Sequence, residues 1–258
     1  GSAIVVFAVV LTAGVGRGAE AVAPVADTAT PPWKVNTPMA AVTKELYKRH
    51  ERPRQAALVS VSSVGPKLEL REVHAYESQS DVGDDIRARW STDNGRTWSE
   101  FVPVQPSNNV SYAGVTVWEG EGPAAYDPAS GLLVQMWLRQ ITVSGVYHNF
   151  TYVRTSSDVG RTWSEPRQLT YEPGDPFDPQ QPLKPTFLNH SESYLGNNVL
   201  VRGDGSLVVC LAHANAPGDP KNDQRPWRMG SVLMLGKWNA DSRQYEWTPG
   251  ARVEISPE

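Results

Sequence analysis

The chain has 258 residues, of which 20% are charged, and a formal net charge of −4. This length can bury a sizeable core, and the acidic balance excludes a polycationic protein that binds nucleic acid through its phosphates. The single cysteine, Cys210, excludes an intrachain disulfide and a cysteine-rich structural zinc site, and its apolar neighbours predict that it packs as a small buried side chain.

The N-terminal segment has the composition of a secretion signal. An apolar run from Ala3 to Leu11 precedes small residues and two Ala-x-Ala sequences within residues 19–23. The run is shorter than the ~20 residues that span a bilayer, although a lone membrane anchor is the alternative. We therefore predict a partial signal peptide over residues 1–23, export to the periplasm or the medium, and no stable membrane insertion after cleavage.

Residues 24–52 are rich in Ala, Pro and Thr and then become basic, which is typical of a linker or N-terminal extension. From residue 53 onward, short runs with strand character alternate with turn signals. Nine tryptophans and nine tyrosines among 21 glycines and 21 prolines favour a turn-rich β protein. We predict an all-β domain over residues 53–258, with strands at 56–61, 68–75, 86–90, 115–118, 132–138, 151–154, 198–201, 206–211 and 231–235.

Two near-identical octamers recur within this domain. Residues 91–98 read STDNGRTW and residues 156–163 read SSDVGRTW, and both are followed by Ser-Glu. In such a turn the Asp carboxylate accepts backbone hydrogen bonds, Gly adopts a positive φ, and the Ser and Thr hydroxyls cross-link the loop. The Trp packs the hairpin onto its neighbour. The repeat indicates that one supersecondary unit recurs along the chain.

The octamers carry a resemblance to a known family. They match the pattern Ser-x-Asp-x-Gly-x-Thr-Trp, the Asp box of the sialidase (neuraminidase) and BNR-repeat families. The resemblance implies a six-bladed β-propeller, with each box between the third and fourth strands of a blade and far from the active site. A third hairpin is predicted at Val199 to Val209, with a degenerate box near Gly236 to Asp241. At about 40 to 65 residues per blade, we expect three to four blades here, inactive on their own.

Two candidate site residues come from the resemblance. The first strand of sialidases carries an arginine of a triad that grips the sugar carboxylate, and Arg54 within PRQAAL (53–58) matches it without the family's Phe, Ile and Pro. The loop SQSDVGDDI (78–86) resembles the loop of the catalytic aspartate, which makes Asp81 the expected acid/base residue. A surface arginine in a basic linker and a solvated acidic turn are the alternatives.

Further substrate-binding candidates stand near predicted strand ends, where propeller pockets are lined. The family places an arginine just before the catalytic loop, and because this chain has none there, Arg71 is the substitute. Arg139, Tyr194, Asn197 and Arg228 are the other pocket candidates. A structural role is the alternative for each of them.

The resemblance implies a secreted exo-glycosidase that hydrolyses terminal α-linked sialic acid, or a related acidic sugar, with retention of configuration. The family's nucleophilic tyrosine and its glutamate are not assigned, since Glu192 lies too early in the chain for the glutamate. No cofactor or metal is expected, and the expected partners are sialylated or other acidic glycans. Two alternatives stay open: a non-catalytic glycan- or protein-binding Asp-box propeller, and a glycosidase or polysaccharide lyase of another specificity on the same scaffold.

Overall fold

The computed structural model describes residues 56–64, 67, 69–79, 82–104, 108–196, 198–214 and 229–254. Within this part of the chain, the strands form three antiparallel sheets, called the first, second and third sheets in chain order. A short helix, α1 (Pro185–Leu188), lies between the second and third sheets in the sequence. No helix among the described residues is long and apolar enough to cross a membrane. The all-β prediction is confirmed.

The first sheet is a meander of four strands in the order of the chain. Its strands are β1 (Ala56–Val64), β2 (Glu69–Gln79), β3 (Val82–Ser91) and β4 (Val102–Pro103). Among its described side chains, the buried apolar residues are Val73, Ile86, Ala88 and Val104, each at most 7% exposed. Ile86 and Ala88 lie two residues apart on β3 and therefore point to the same face of the sheet.

The second sheet has five strands and is covered on both faces. Its strands are β5 (Asn108–Tyr112), β6 (Val115–Asp127), β7 (Leu132–Val143), β8 (Val146–Ser156) and β9 (Arg167–Gln168). The central strand β7 is buried without interruption from Leu133 to Arg139. Met136 contacts the core shared with the third sheet, whereas Trp137 packs on the opposite face in a cluster with Phe150 and Phe187.

The third sheet is again a four-stranded meander. Its strands are β10 (Val199–Val201), β11 (Leu207–Ala214), β12 (Met229–Asn239) and β13 (Gln244–Glu254). Val209 and Leu211 of β11 are buried, whereas Cys210 between them is exposed. The expected burial of Cys210 is wrong, because successive side chains of a strand point to opposite faces and the covered face takes its two neighbours.

The nine predicted strands all overlap observed ones. Six of them start within one residue of the predicted position, whereas β3, β8 and β12 start four, five and two residues earlier than predicted. The third hairpin is also found, with Gly205 at a φ of +77° in its turn. The strands that the sequence did not indicate are β4, β5, β9 and β13. Two of them, β4 and β9, have only two residues and are too short to carry an alternating pattern.

The first Asp box forms the turn after β3 and has the predicted geometry. Asp93 Oδ1 accepts a hydrogen bond from the Thr97 N–H at 2.8 Å, and Oδ2 accepts one from the Thr97 hydroxyl at 2.7 Å. The Ser91 hydroxyl donates to Asp93 and accepts from the Gly95 N–H, both at 2.8 Å. These bonds lower the pKa of the Asp93 carboxyl to about 2, and the bond from the Thr97 N–H has the largest effect.

The second Asp box, after β8, repeats this arrangement. Asp158 accepts from the Thr162 N–H at 2.8 Å and from the Thr162 hydroxyl at 2.6 Å. In the third sheet the turn between β12 and β13 uses an asparagine instead, since Asn239 Oδ1 accepts from the N–H groups of Asp241 and Ser242 at 3.0 and 3.1 Å. The degenerate third box therefore keeps a side-chain acceptor without the rest of the pattern.

The described side-chain contacts between the first and second sheets are polar and aromatic. The indole N–H of Trp90 donates to the carbonyl of Val159 in the second Asp box at 2.8 Å. The guanidinium of Arg161 lies 5.4 Å from the centre of the Trp90 ring, and that of Arg71 lies 5.4 Å from the Trp163 ring. The second box is thereby anchored to the first sheet.

The contact between the second and third sheets is apolar. At its rim, the Tyr245 hydroxyl donates to the Asp127 carboxylate. Burial of such an apolar set contributes about 25 cal/mol for each Å² removed from water. The buried residues of this shared core are Val134, Met136, Val153, Leu169, Val199, Leu207, Val209, Leu211, Val232, Met234 and Tyr245.

Substitution of Gly160 in the second Asp box is expected to cost more stability than substitution of Gly131. Both glycines have a positive φ, +76° and +73°, so alanine adds backbone strain of about 1–2 kcal/mol at either site. A Cβ at Gly131 meets nothing within 4 Å, whereas at Gly160 it would lie 2.6 Å from Trp163 and 2.7 Å from Arg71. In urea unfolding, Gly160→Ala should therefore lower the free energy of unfolding by about 1–3 kcal/mol more than Gly131→Ala does. Equal losses would contradict a box anchored to the first sheet.

Candidate functional site

Four of the seven predicted site residues, Arg54, Asp81, Asn197 and Arg228, lie outside the described residues. In the chain, Asp81 falls between the end of β2 and the start of β3. The residues on either side of it, Gln79 and Val82, are register partners at the end of the first sheet opposite the first Asp box. The three described candidates are Arg71, Arg139 and Tyr194.

Arg71 on β2 is 2% exposed and lies between the first and second sheets. Its Nη2 donates to Glu121 Oε1 at 2.7 Å, and the same oxygen accepts from Arg154 Nη2 at 2.7 Å. Burial and the nearby Arg71 cation lower the pKa of Arg154 to about 10, although the attraction of the Glu121 carboxylate opposes this shift. The guanidinium of Arg71 therefore has a carboxylate partner within the protein, and this geometry favours a structural role.

Arg139 on β7 is also enclosed by protein groups. Its Nε donates to Glu119 Oε1 at 2.7 Å, and its Nη1 donates to the Tyr152 hydroxyl at 3.0 Å. The Tyr112 hydroxyl donates to the same Glu119 oxygen at 3.1 Å. The ring of Phe177 lies 3.9 Å from the guanidinium carbon, and burial raises the pKa of Tyr152 to about 12. Arg139 thus neutralises a buried carboxylate inside an aromatic enclosure.

Tyr194 is the most accessible of the three described candidates, at 51% exposed. Its N–H donates to the Ala212 carbonyl at 2.6 Å, and its carbonyl accepts from the Ala212 N–H at 3.2 Å. These two backbone bonds attach the segment before β10 to β11. The side chain of Tyr194 is therefore presented to solvent from an anchored backbone.

A different set of residues forms a cavity of about 710 Å³ on the second sheet. It lies beside the β5–β6 and β7–β8 turns, at the end of the sheet opposite the second Asp box. We call it the edge cavity. The described residues of its lining include no ionisable side chain and are Asn109, Gly114, Val115, Thr116, Trp118, Gln140, Thr142, Val143, Ser144 and Leu183.

A row of side chains crosses four strands at the edge cavity. Asn109 is the register partner of Trp118, Trp118 that of Gln140, and Gln140 that of Asn149. Directly opposed residues in an antiparallel sheet share a face. Gln140 Nε2 donates to Asn149 Oδ1 at 2.8 Å. The register therefore places one indole and three amides side by side.

The indole of Trp118 lies against the backbone of Gly120, two residues along β6. A Cβ at Gly120 would be 2.0 Å from Cη2 of that ring. Glycine is needed here because the aromatic ring approaches the strand so closely. The close contact holds the half-buried indole in the wall of the edge cavity.

The row ends beside a buried acid. The Asn149 N–H donates to Glu192 Oε1 at 3.4 Å. Glu192 is 5% exposed, and burial raises the pKa of its carboxyl to about 8, so that it is protonated at neutral pH. Its Oε2 lies 3.8 Å from Nδ1 of His148, whose pKa burial lowers. Both groups are therefore neutral, and within the described residues neither atom has a hydrogen-bond partner.

A second cavity, of about 410 Å³, lies near the outer strand β9. Arg139, Tyr152, Phe177 and Asp175 are among its lining residues. Asp175 is already engaged by Lys184 at 2.7 Å. The lining also includes Arg167, whose Nη1 donates to Gln244 Oε1 at 2.5 Å. This cavity therefore differs from the edge cavity in carrying charged side chains, each of which has a partner in the protein.

No group of three or more His, Cys, Asp or Glu in the described ranges could hold a metal ion. The residues that sequence reasoning missed are Trp118, Gln140, Asn149 and His148. Trp118 is the last residue of one predicted strand and Gln140 follows the end of another. Position at a strand end is therefore the signal that could have identified these two residues.

Comparisons with known proteins place the fold but not the function. No family model and no curated protein matches the chain. Among solved structures, it is similar to a protein of unknown function from Dyadobacter fermentans DSM 18053, with 15% identity and a TM-score of 0.52 over 79% of this chain and 56% of that one. It also matches an ulvan lyase of polysaccharide lyase family PL25, with 14% identity and a TM-score of 0.39 over 75% of this chain and 43% of that one. The chain thus spans about half the length of these two structures, and the first likeness shows the fold alone.

Proposed function

We propose that this chain is part of a β-propeller enzyme that acts on glycans, an exo-glycosidase of the sialidase type. It hydrolyses a terminal α-linked sialic acid or a related acidic sugar with retention of configuration. In this proposal Asp81 is the acid/base residue, Arg54 binds the sugar carboxylate, and residues 1–23 direct export. The pair of Asp boxes carries the proposal, because both keep the hydrogen bonds of the motif on successive sheets.

The order of the sheets supports the propeller. Each sheet is an antiparallel meander, and β6 of the second sheet contacts the first strand of each neighbouring sheet, β1 and β10. Successive meanders that meet through inner strands are the arrangement of propeller blades. We therefore assign the three sheets to three blades of a six-bladed propeller.

The position of the edge cavity supports a ligand site on the face that carries Asp81. The β2–β3 link contains Asp81, and the β7–β8 turn of the next sheet lines the edge cavity through Ser144. Each connection precedes a strand that ends at an Asp box, β3 or β8, so both connections belong to the ends of the sheets opposite the boxes. A catalytic carboxyl and a cavity at one end of the sheets fit a glycan that extends across two blades.

The placement of Arg71 and Arg139 favours a second candidate. Sialidases hold the sugar carboxylate with three arginines, and here both described candidates are bound to buried glutamates. A non-catalytic glycan-binding propeller, or a glycosidase or lyase of another specificity, requires no such triad.

An assay of the full-length protein tests the proposal. The wild type is expected to release the fluorogenic group of an aryl α-sialoside, and Asp81→Asn should slow this release about 100-fold or more, the contribution of a general acid/base. Asp241→Asn is the matched control, since Asp241 is exposed in the β12–β13 turn at the opposite end of the sheets. It should retain the wild-type rate.

Three other results would redirect the proposal. Equal rates for Asp81→Asn and the wild type would remove Asp81 from the mechanism. Glycan binding without any release would support the non-catalytic propeller. Cleavage of an acidic polysaccharide to an unsaturated, ultraviolet-absorbing product would support the lyase.

A further inference from the structure

Residues 170–192 form a long loop, which we call the strap, and both of its ends are fixed at one place on the second sheet. The Leu169 N–H donates to the Thr151 carbonyl at 2.9 Å, and the Thr151 hydroxyl donates to the Ser193 carbonyl at 3.1 Å. Thr151 lies in β8 and is fully buried. Loops of more than about 15 residues are uncommon in compact domains and often serve as lids or binding loops. The strap can therefore move while its two ends stay on the sheet.

Bonds between its own residues hold the strap together. Near its ends, the Ser191 N–H donates to Glu172 Oε1 at 2.7 Å, and the Ser191 hydroxyl accepts from the Glu172 N–H at 3.2 Å. Ser191 has a φ of +53°, which is uncommon for a residue other than glycine. Farther along, Asp175 pairs with Lys184 at 2.7 Å, and its N–H donates to the Thr186 carbonyl at 3.0 Å. These bonds make the strap a preformed unit.

The strap covers aromatic side chains of the second sheet. Phe187 of α1 is 1% exposed, and its ring centre lies 4.2 Å from that of Phe150 in β8. The ring centre of Phe177 lies 5.2 Å from that of Tyr112 in β5. The strap also contributes to both cavities, through Leu183 to the edge cavity and through Phe177 to the second one. Release of the strap would therefore open both cavities and uncover the aromatic rings beneath it.

A buried acid and a buried base join the strap to β8. The His148 ring donates a hydrogen bond to the Leu188 carbonyl, and its Nδ1 lies 3.8 Å from Glu192 Oε2. Within the described residues, His148 Nδ1, Glu192 Oε2 and the Ser193 hydroxyl all lack a hydrogen-bond partner. Three such buried atoms at one place are unusual, and each has lost its bonds with water. Closure of the strap is therefore sensitive to the charge on this pair.

The surroundings of Glu192 do not compensate a negative charge on it. In the part of the chain that the structure describes, no arginine or lysine pairs with Glu192, and burial keeps His148 neutral. The Tyr171 hydroxyl donates to the Glu192 carbonyl at 2.6 Å, and burial raises the pKa of this phenol, so it also stays neutral. A carboxylate at this position is therefore costly unless it reaches water. The titratable or charged groups around the base of the strap are His148 of β8, Tyr171, Glu172 and His190 of the strap, and Arg252 of β13.

We propose that the strap is a lid over the second sheet and that Glu192 and His148 form its pH-sensitive latch. The lid is closed while the Glu192 carboxyl keeps its proton, and it is released when the O–H bond breaks and the proton passes to water. Since burial raises the pKa of Glu192 to about 8, the stabilisation of the closed strap is complete below about pH 4.5 and is lost as the pH rises to 8. Opening leaves the three sheets folded, so it requires less free energy than unfolding. The inference does not depend on the proposed glycosidase activity.

Hydrogen exchange of the full-length protein between pH 6.5 and 8, read by mass spectrometry and corrected for the intrinsic effect of pH, tests the lid. The amides of Phe187 and Leu188 report on the strap, because they donate to the Lys184 carbonyl at 3.0 and 2.9 Å. Their opening equilibrium should rise about tenfold or more over this range. Glu192→Gln stays neutral at every pH and should abolish the rise. Glu165→Gln, at an exposed glutamate outside the strap, is the matched control and should keep it.

Phe187→Leu serves as a further variant, because it removes the ring contact with Phe150 and leaves the latch intact. It should raise the opening of the strap several-fold and by the same factor at pH 6.5 and at pH 8. Thermal unfolding of each variant shows whether it is folded. Strap amides that open with the same free energy as those of β7 would overturn the lid. A rise that persists in folded Glu192→Gln would overturn the latch.

Discussion

Glu121→Gln is expected to destabilise the protein by about 3–5 kcal/mol, the cost of leaving a buried charge unpaired. The glutamate is 4% exposed, and one of its oxygens accepts hydrogen bonds from both Arg71 and Arg154. These arginines are 2% and 3% exposed. Removal of the single carboxylate leaves two cations facing each other between the first and second sheets. Urea denaturation, with the midpoint and the slope fitted separately, measures the loss.

Glu69→Gln is the matched control for this substitution. Glu69 pairs with Arg161 at 3.9 Å, and the two side chains are 30% and 40% exposed. Exposed pairs of this kind contribute at most about 1 kcal/mol. Combining Glu121→Gln with Arg154→Gln should recover part of the loss, because only one cation then stays buried. A cost for Glu121→Gln no larger than that of Glu69→Gln would show that the cluster does not stabilise the sheet contact.

Glu192→Gln is expected to change how stability depends on pH. Burial raises the pKa of the Glu192 carboxyl to about 8 in the folded protein. As the pH rises above about 4.5, the unfolded chain therefore loses the proton of this carboxyl while the folded protein still holds it. Stability from this group is therefore complete below the unfolded pKa and is lost as the pH approaches 8. The expected slope is about 1.4 kcal/mol per pH unit, and Glu192→Gln should abolish it.

The range between pH 6.5 and 8 isolates this effect. Burial lowers the pKa of His148 in the folded protein. In the unfolded chain this residue has its ordinary pKa of about 6.5 and takes up a proton below that pH, so its contribution to stability falls as the pH decreases below 6.5. The two groups oppose each other between about 4.5 and 6.5. Of these two groups, only Glu192 acts above pH 6.5, with an expected loss of about 2 kcal/mol up to pH 8.

Urea unfolding at four pH values between 6.5 and 8 would measure the difference between the wild type and Glu192→Gln. Glu165→Gln, a change at an exposed glutamate just after the second Asp box, should keep the wild-type slope. The same slope in Glu192→Gln and the wild type would mean that Glu192 is ionised in the folded protein.

Much of the fold could be predicted because its signals are local. The Asp boxes specify their turns through side chains within five residues of one another, and strand alternation is visible over short runs. The strand β13 was missed because Pro249 and Gly250 interrupt it, and both residues weaken the pattern of a strand. Its pairing with β12 is decided by the partner strand, which no local pattern indicates.

The candidate site was harder to predict because its members meet through pairing. Arg71 was named from its position before a loop, but the carboxylate that binds it comes from β6 of another sheet. Arg139 was named for its place at a strand end, yet its register partner is Glu119. The neutrality of Glu192 depends on burial beside β8. Each of these properties follows from contacts distant in sequence.

The two contacts between sheets make the three sheets unequal in conformational stability. In repeat architectures, stability is approximately the sum of each unit and its interfaces with its neighbours. The second and third sheets share a large apolar core, whereas the described contacts that join the first sheet to the second are polar and aromatic and involve Arg71, Glu121 and Trp90. Local opening should therefore begin at the first sheet. Segments that move during function come from the less stable parts of a protein, and the first sheet is the one that carries the Asp81 link.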